Sequence, residues 1–393
     1  MSPARLLVLA AIACAALVPA AAQAALPKGP SGLAFYSPPA AKVAGKHGTV
    51  IWARRFPAKD APRGGRTWLV LYRSTSPAGK SVPVSGLVTV PNGKAPRKGF
   101  PVVSWAHGTT GIADSCAPSR LLAAGKANAP YDVHLRAEMT HWVREGYAVV
   151  QTDYAGLGTA GLHPYLIGVS AGRSVIDMVG AAHAMGKGVG TRWAVIGHSQ
   201  GGHATLWAAA LAARYAPHLK LMGALPLAPA SHIGEQAELI NTLDGNPLGG
   251  IPALIVAAAL DAAHVAPATA LSDKALALYP QIEQVCLDKL NAQDSWGGLP
   301  LKEIFRSGYD DAPLVKLLSA NDPEDLTIRV PVLLAQGEAD TTVFPAFSDQ
   351  TVAALRSRGT KVTYVKYPGV DHGGVVQASA NAAEKFIDRL LKR

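Results

Sequence analysis

The 393-residue sequence predicts an α/β fold: a mostly parallel central sheet flanked by helices, with a helical cap inserted late in the chain. Two observations carry this. Between residues 101 and 228, apolar strand-like runs alternate with helix-like segments, the pattern of a doubly wound parallel sheet. Over residues 231–325 the alternation stops, and it resumes with a buried strand near residue 330. Strands of one sheet on both sides of that block make it an insertion rather than a separate domain. The predicted organisation is a leader at 1–24, a core at 25–230, a cap at 231–325, and the rest of the core at 326–393.

The elements follow in order. "MSPARLLVLAAIACAALVPAAAQAALPKG" has one basic residue, Arg5, then an apolar stretch, then Ala22-Gln23-Ala24. That is a secretory leader, cut after Ala24, and it implies a secreted or periplasmic protein. The stretch is short and alanine-rich for a membrane anchor, and Ala11 stands where a lipoprotein site before Cys14 would have Leu. "TVIWARRF", "TWLVLYRSTS" and "SVPVSGLVTVP" are separated by Pro/Gly-rich turns and read as an antiparallel meander. "PVVSWAH" is the next strand. A helix at 131–145 leads to strand "YAVVQTDY", a helix at 165–186 to "WAVIGH", and a helix at 201–215 to "LMGALPLA". After the cap come "VPVLLAQG", a helix, "KVTYVKYP" and a last helix at 373–391.

Composition narrows the function classes. Half the residues are apolar, 49%, and only 16% are charged, as in a compact loop-rich protein. The net charge of +10 is spread out, without a dense basic cluster or interleaved aromatics, so no nucleic-acid partner is expected. Transient contact with a lipid surface fits such a chain; no stable protein partner is expected. Without the leader two cysteines remain, Cys116 and Cys286, and an even pair in an exported chain suggests one disulfide. There is no His-Glu-x-x-His, P-loop or dinucleotide fingerprint, and two cysteines cannot build a zinc cluster; no metal or cofactor is expected.

The chemistry centres on "WAVIGHSQGGHATLWAA". Gly197-His198-Ser199-Gln200-Gly201 is a Gly-x-Ser-x-Gly elbow in the context that motif requires, strand before and helix after. A nucleophile on such a turn has a strained backbone, and side chains at the flanking positions would collide. Serine needs a base to take its proton, and the base needs an orienting acid. The acid should follow a late strand: "VPVLLAQGEADTTV" offers Asp340, with Glu338 and Asp349 as rivals. The base should follow the final strand, where "YPGVDHGG" offers His372. His198 is read as packing at the strand end, His203 as packing on the helix, and His107 as fixing the following loop. Asp371 is read as shaping its own loop. A tetrahedral intermediate needs two backbone N–H donors, one from Gln200 and one from the "HGTTG" loop, at Thr109 or alternatively Thr110.

With these residues in place the chain resembles the α/β-hydrolase superfamily, and more narrowly the secretory lipase family that includes the yeast type-A lipases. "FYSPP", "SWAHGTTGIADSCAPS", "GYAVVQTDYAGLG" and "GHSQGGHATLWAA" carry the likeness. The resemblance implies a helical cap over the site, a Ser-Asp-His triad and hydrolysis of lipid esters. It also implies that the Cys of "CAPS", Cys116, bridges to Cys286 in the cap. "HGTTG" departs from the yeast pattern and looks more like bacterial esterases and peptidases of the superfamily. A serine peptidase on the same machinery, and a non-catalytic binding protein on the same fold, are the rival readings.

Overall fold

The computed structural model describes residues 26–56, 61–124, 130–240 and 245–392, without the side chains of 130–135 and 239–240. The leader and its cut after Ala24 lie outside these residues. One nine-stranded sheet organises the chain, in the order β1-β2-β3-β5-β4-β6-β7-β8-β9. The strands are β1 (Val50–Arg55), β2 (Gly65–Thr75), β3 (Ser81–Pro91), β4 (Phe100–Ala106), β5 (Ala148–Thr152), β6 (Val189–His198), β7 (Lys220–Leu227), β8 (Val332–Gly337) and β9 (Val362–Tyr367). β1, β2 and β3 form the expected antiparallel meander, and β5 joins β3 antiparallel. From β5 through β9 every pairing is parallel.

Helices α1 (Pro130–Arg144), α2 (Gly168–Ala184), α3 (Gln200–Tyr215), α4 (Ile233–Ile240), α5 (Ile251–Ala262), α6 (Ala312–Ser319), α7 (Pro345–Ser357) and α8 (Ala380–Leu391) surround the sheet or lie beyond it. Alternation along the central strands decides which face each residue serves. Val102, Trp193 and Val195 join the cluster that α2 and α3 cover. Val103, Trp105, Ala194 and Ile196 join the cluster covered by α1 and α8. Both faces are therefore apolar, and the central strands read as continuous hydrophobic runs.

Two boundaries differ from the sequence expectation. The helix expected from 165 begins at Gly168, because Leu166 has φ of 58° and cannot sit in a right-handed helix. The last helix is split, a short turn at Val375–Ala378 preceding α8. Between β7 and β8 the described residues form helices with an apolar cluster of their own, built on Ala253, Leu254, Ala257 and Leu318 and seated on Ile112, Tyr165 and Leu166.

Candidate active site

Ser199 sits between β6 and α3 with φ of 58° and ψ of −117°, a conformation that costs a non-glycine residue about 1–3 kcal/mol. Surrounding bonds hold it there. Its N–H donates to Leu227 O at 2.9 Å, and its carbonyl accepts from His203 N at 3.1 Å and Ala230 N at 3.2 Å. The flanking glycines have a steric cause. A Cβ on Gly201 would lie 1.9 Å from the Ala106 carbonyl oxygen, and one on Gly197 would lie 2.2 Å from that of Gly201.

Asp340 lies in the turn after β8 and is buried. Its Oδ2 accepts from His372 Nδ1 at 2.7 Å and from Gln336 Nε2 at 3.0 Å. Its Oδ1 accepts from the N–H groups of Thr342 and Val343, both at 2.8 Å. Burial alone would raise its pKa, but the bonds from His372, Val343 and Thr342 outweigh burial and hold it below the ordinary 3.8. Its bonding therefore stabilises the fold fully above about pH 4 and is lost as pH falls through the lowered folded value. The rival carboxylates are placed differently. Glu338 is exposed, and Asp349 is bound to Lys366 and Tyr364. Asp340→Asn is expected to remove most of the activity through the wrong imidazole tautomer, while Glu338→Gln leaves kcat within about twofold. Steady-state kinetics of the two variants checks this, and the reverse pattern would transfer the acid role to Glu338.

His372 follows β9, and its Nδ1 bond to Asp340 leaves Nε2 for a reacting proton. Three buried histidines near the site act as supports. His198 donates from Nε2 to the His372 carbonyl at 2.8 Å, with the two rings 4.5 Å apart. Burial, aided by the nearby His372, lowers its pKa to about 3. So His198 does more than pack at a strand end: it anchors the loop carrying His372. His203 donates to the Asn321 carbonyl at 2.8 Å, and burial lowers its pKa to about 4. His107 Nδ1 donates to the Gly108 carbonyl at 2.6 Å, within the loop it was expected to fix. Asp371 accepts from Gly374 N at 2.7 Å, inside its own turn. Gln336, which the sequence did not single out, is buried between Asp340 and Ser348, whose hydroxyl donates to Gln336 Oε1 at 2.7 Å.

Two cavities meet at Ser199. One is narrow and apolar, about 100 Å³, running into the helical block between Ile233, Ile251, Ile255, Leu314 and Leu318. The other is open and more polar, about 530 Å³, and is lined by Thr109, His372, Asn246 and Gln293 as well as Ser199. Thr109 thus lines one cavity with the serine, and Gln200 follows the serine as the first residue of α3. Cys116 and Cys286 form a disulfide, as the family likeness implies. Next to it, Leu287 N donates to the Thr110 carbonyl at 3.0 Å, a second tie between the helical block and the "HGTTG" loop. Among the described residues, the one group of acidic side chains close enough to share a cation is Glu145, Glu384 and Asp388, exposed or half-buried, and Lys392 already bonds Glu145 and Asp388. Nor is any helix among them long and apolar enough to cross a membrane.

Comparison with known proteins agrees with this architecture. The family model described as secretory lipase matches residues 134–392. A Mycobacterium tuberculosis protein described as a probable inactive lipase is 30% identical over 240 residues, covering 58% of this chain and 51% of that protein. Lipase A of Moesziomyces aphidis is 28% identical over 393 residues, covering 89% of this chain and 77% of the relative. The chain thus spans about half the length of the mycobacterial relative. Among solved structures, Candida antarctica lipase A in its closed state superposes with a TM-score of 0.76 at 20% identity, covering 91% of this chain and 85% of that one. The rice cell wall degrading esterase LipA from Xanthomonas oryzae gives 0.71 at 20% identity, covering 88% and 99%. The fold is that of the α/β-hydrolases.

Proposed function

Because the chain belongs to the secretory lipase family, we propose that it is an exported serine carboxylic-ester hydrolase acting on lipid acyl esters. The observation that carries this reading is the Asp340–His372 bond of 2.7 Å at a cavity that His372 shares with a strained Ser199. Ser199 Oγ attacks the ester carbonyl carbon while His372 Nε2 takes its proton. The carbonyl electrons move onto oxygen, and the N–H groups of Gln200 and Thr109 hold that oxyanion. Collapse of the intermediate breaks the bond to the alcohol oxygen, which leaves with the proton from His372. Asp340 stays ionised and stabilises the imidazolium. Water then attacks the acyl-enzyme with His372 again as base, releasing the acid and restoring Ser199. No metal or cofactor takes part in these steps.

Residues 231–325 act as the cap, and the apolar cavity beneath it receives the acyl chain. The polar cavity leaves room for the alcohol. The leader at 1–24 directs export to the periplasm or the medium. The mycobacterial relative's description keeps a non-catalytic protein as the rival, and the complete Ser199, Asp340 and His372 set favours catalysis. Covalent labelling of Ser199 by a fluorophosphonate separates the two, since a binding protein without a working nucleophile would stay unlabelled.

Each methylene buried in the cavity contributes about 0.8 kcal/mol. The specificity kcat/KM for p-nitrophenyl esters is therefore expected to rise from acetate through at least octanoate, measured below the aggregation limit of each ester. A maximum at acetate with a steep fall by hexanoate would replace the lipase reading with a short-chain esterase.

A further inference from the structure

Residues 154–167, between β5 and α2, include most of the "DYAGLG" stretch, for which the steps above have no use. They reach both sides of the site. At one end of the loop Tyr154 donates its hydroxyl to the His107 carbonyl at 2.9 Å, and its ring lies against His107 and His163 at 4.5 and 5.7 Å. His163 donates from Nδ1 to the Ala155 carbonyl at 2.8 Å, so its Nε2 carries the lone pair. That nitrogen accepts from Gln200 Nε2 at 2.8 Å. Two residues on, the Tyr165 hydroxyl shares a bond of 2.6 Å with Thr109 Oγ1. His163, Tyr165 and Gln200 are all buried. Burial lowers the His163 pKa to about 4, so it serves as a neutral acceptor.

The loop's own shape is costly, which argues against plain filler. Tyr154 and Leu166 hold φ values of 68° and 58°. A Cβ on Gly156 would lie 2.4 Å from the Leu162 carbonyl oxygen, so the loop folds tightly on itself. Tyr165 also lines the apolar cavity beside Ser199.

We propose that the 154–167 loop sets the geometry of the oxyanion donors, with His163 and Tyr165 as positioning residues for Gln200 and Thr109. This rests on the hydrolase reading of the same site. The Gln200 side chain is held by His163 and the Thr109 side chain by Tyr165, both from one segment. Each clamp restrains the backbone whose N–H points to the developing charge. A transition-state donor moved by a fraction of an ångström loses most of its value, whereas ground-state binding is barely touched.

The test uses Tyr165→Phe and Thr109→Val, which each delete one partner of the 2.6 Å bond, the double variant, and His163→Phe. Each single variant is expected to lower kcat roughly ten- to a hundredfold, with KM within about threefold. The double variant should be no worse than the poorer of its two singles, because both remove the same bond. Inhibition by a long-chain trifluoromethyl ketone, which adds to Ser199 and carries the oxyanion, should weaken by the same factor as kcat. Inhibition by the methyl ketone of equal length, which binds without that charge, should not change. A merely structural role would move both ketones together or neither. If wild type hydrolyses the ester and Tyr165→Phe and Thr109→Val keep kcat within twofold, the positioning role is overturned and the hydrolase reading stands. If wild type hydrolyses no ester and takes no fluorophosphonate label, both readings fall. Should His163→Phe not fold, the Tyr165 and Thr109 pair decides alone.

Discussion

Ser199→Ala, and separately His372→Ala, are each expected to lower kcat by roughly four to six orders of magnitude while leaving the fold intact. The size follows from chemistry. Without Oγ there is no acyl-enzyme, and without the imidazole the hydroxyl keeps its proton. The two effects should not add, because serine and base act as a unit; the double variant should match the poorer single one. What survives is the catalysis of an oxyanion site acting on bound water. The fold survives for a different reason. Alanine at position 199 keeps the N–H and carbonyl that bond Leu227, His203 and Ala230, and His372 contributes one side-chain bond, to Asp340. Steady-state kinetics with thermal unfolding of each variant checks both halves. Turnover near wild type in either variant would remove that residue from the mechanism.

The second large effect concerns the disulfide. Cys116 and Cys286 are 170 residues apart, so closing that loop in the unfolded chain is worth about 5 kcal/mol on the entropic model, with measured bridges mostly delivering 2–4. Cys116→Ala/Cys286→Ala is therefore expected to lower the unfolding free energy by about 2–5 kcal/mol in urea titration. Thiol titration of the denatured, unreduced mature protein should find no free cysteine, and two free thiols would remove the bridge. Activity should fall as well. The bridge and the Leu287–Thr110 bond fasten the helical block to the loop bearing Thr109, and losing one leaves the other to carry the junction.

What the sequence could tell follows the range of each signal. The elbow at Ser199 is local: two glycines, a strand and a helix within a few residues. The positions of Asp340 and His372 follow from chain order and from the ends of late strands, which apolar runs mark well. The fold class was legible for the same reason, and so was the meander. Strand order was not, because no periodicity says that β5 lies between β3 and β4. The start of α2 was misplaced because Tyr165 and Leu166 are apolar like helix residues, yet they face the helical block from a left-handed turn. His198, Gln336 and His163 were missed or read too blandly. The two histidines act through partners distant in sequence, 174 residues away for His198 and 37 for His163, while Gln336 is a local support to Asp340 and Ser348 that no motif marks. A buried histidine looks the same in a sequence whatever it holds.

The backbone at Ser199 also has an evolutionary consequence. Its positive φ is one that glycine adopts freely and serine does not. On the proposed function, selection for ester turnover keeps at this position a residue that folding alone would discard. A lineage released from that selection gains stability by the single change that ends catalysis. Loss of the nucleophile is then the downhill direction, and decay of such an enzyme into a stable, silent homologue needs no compensating change elsewhere.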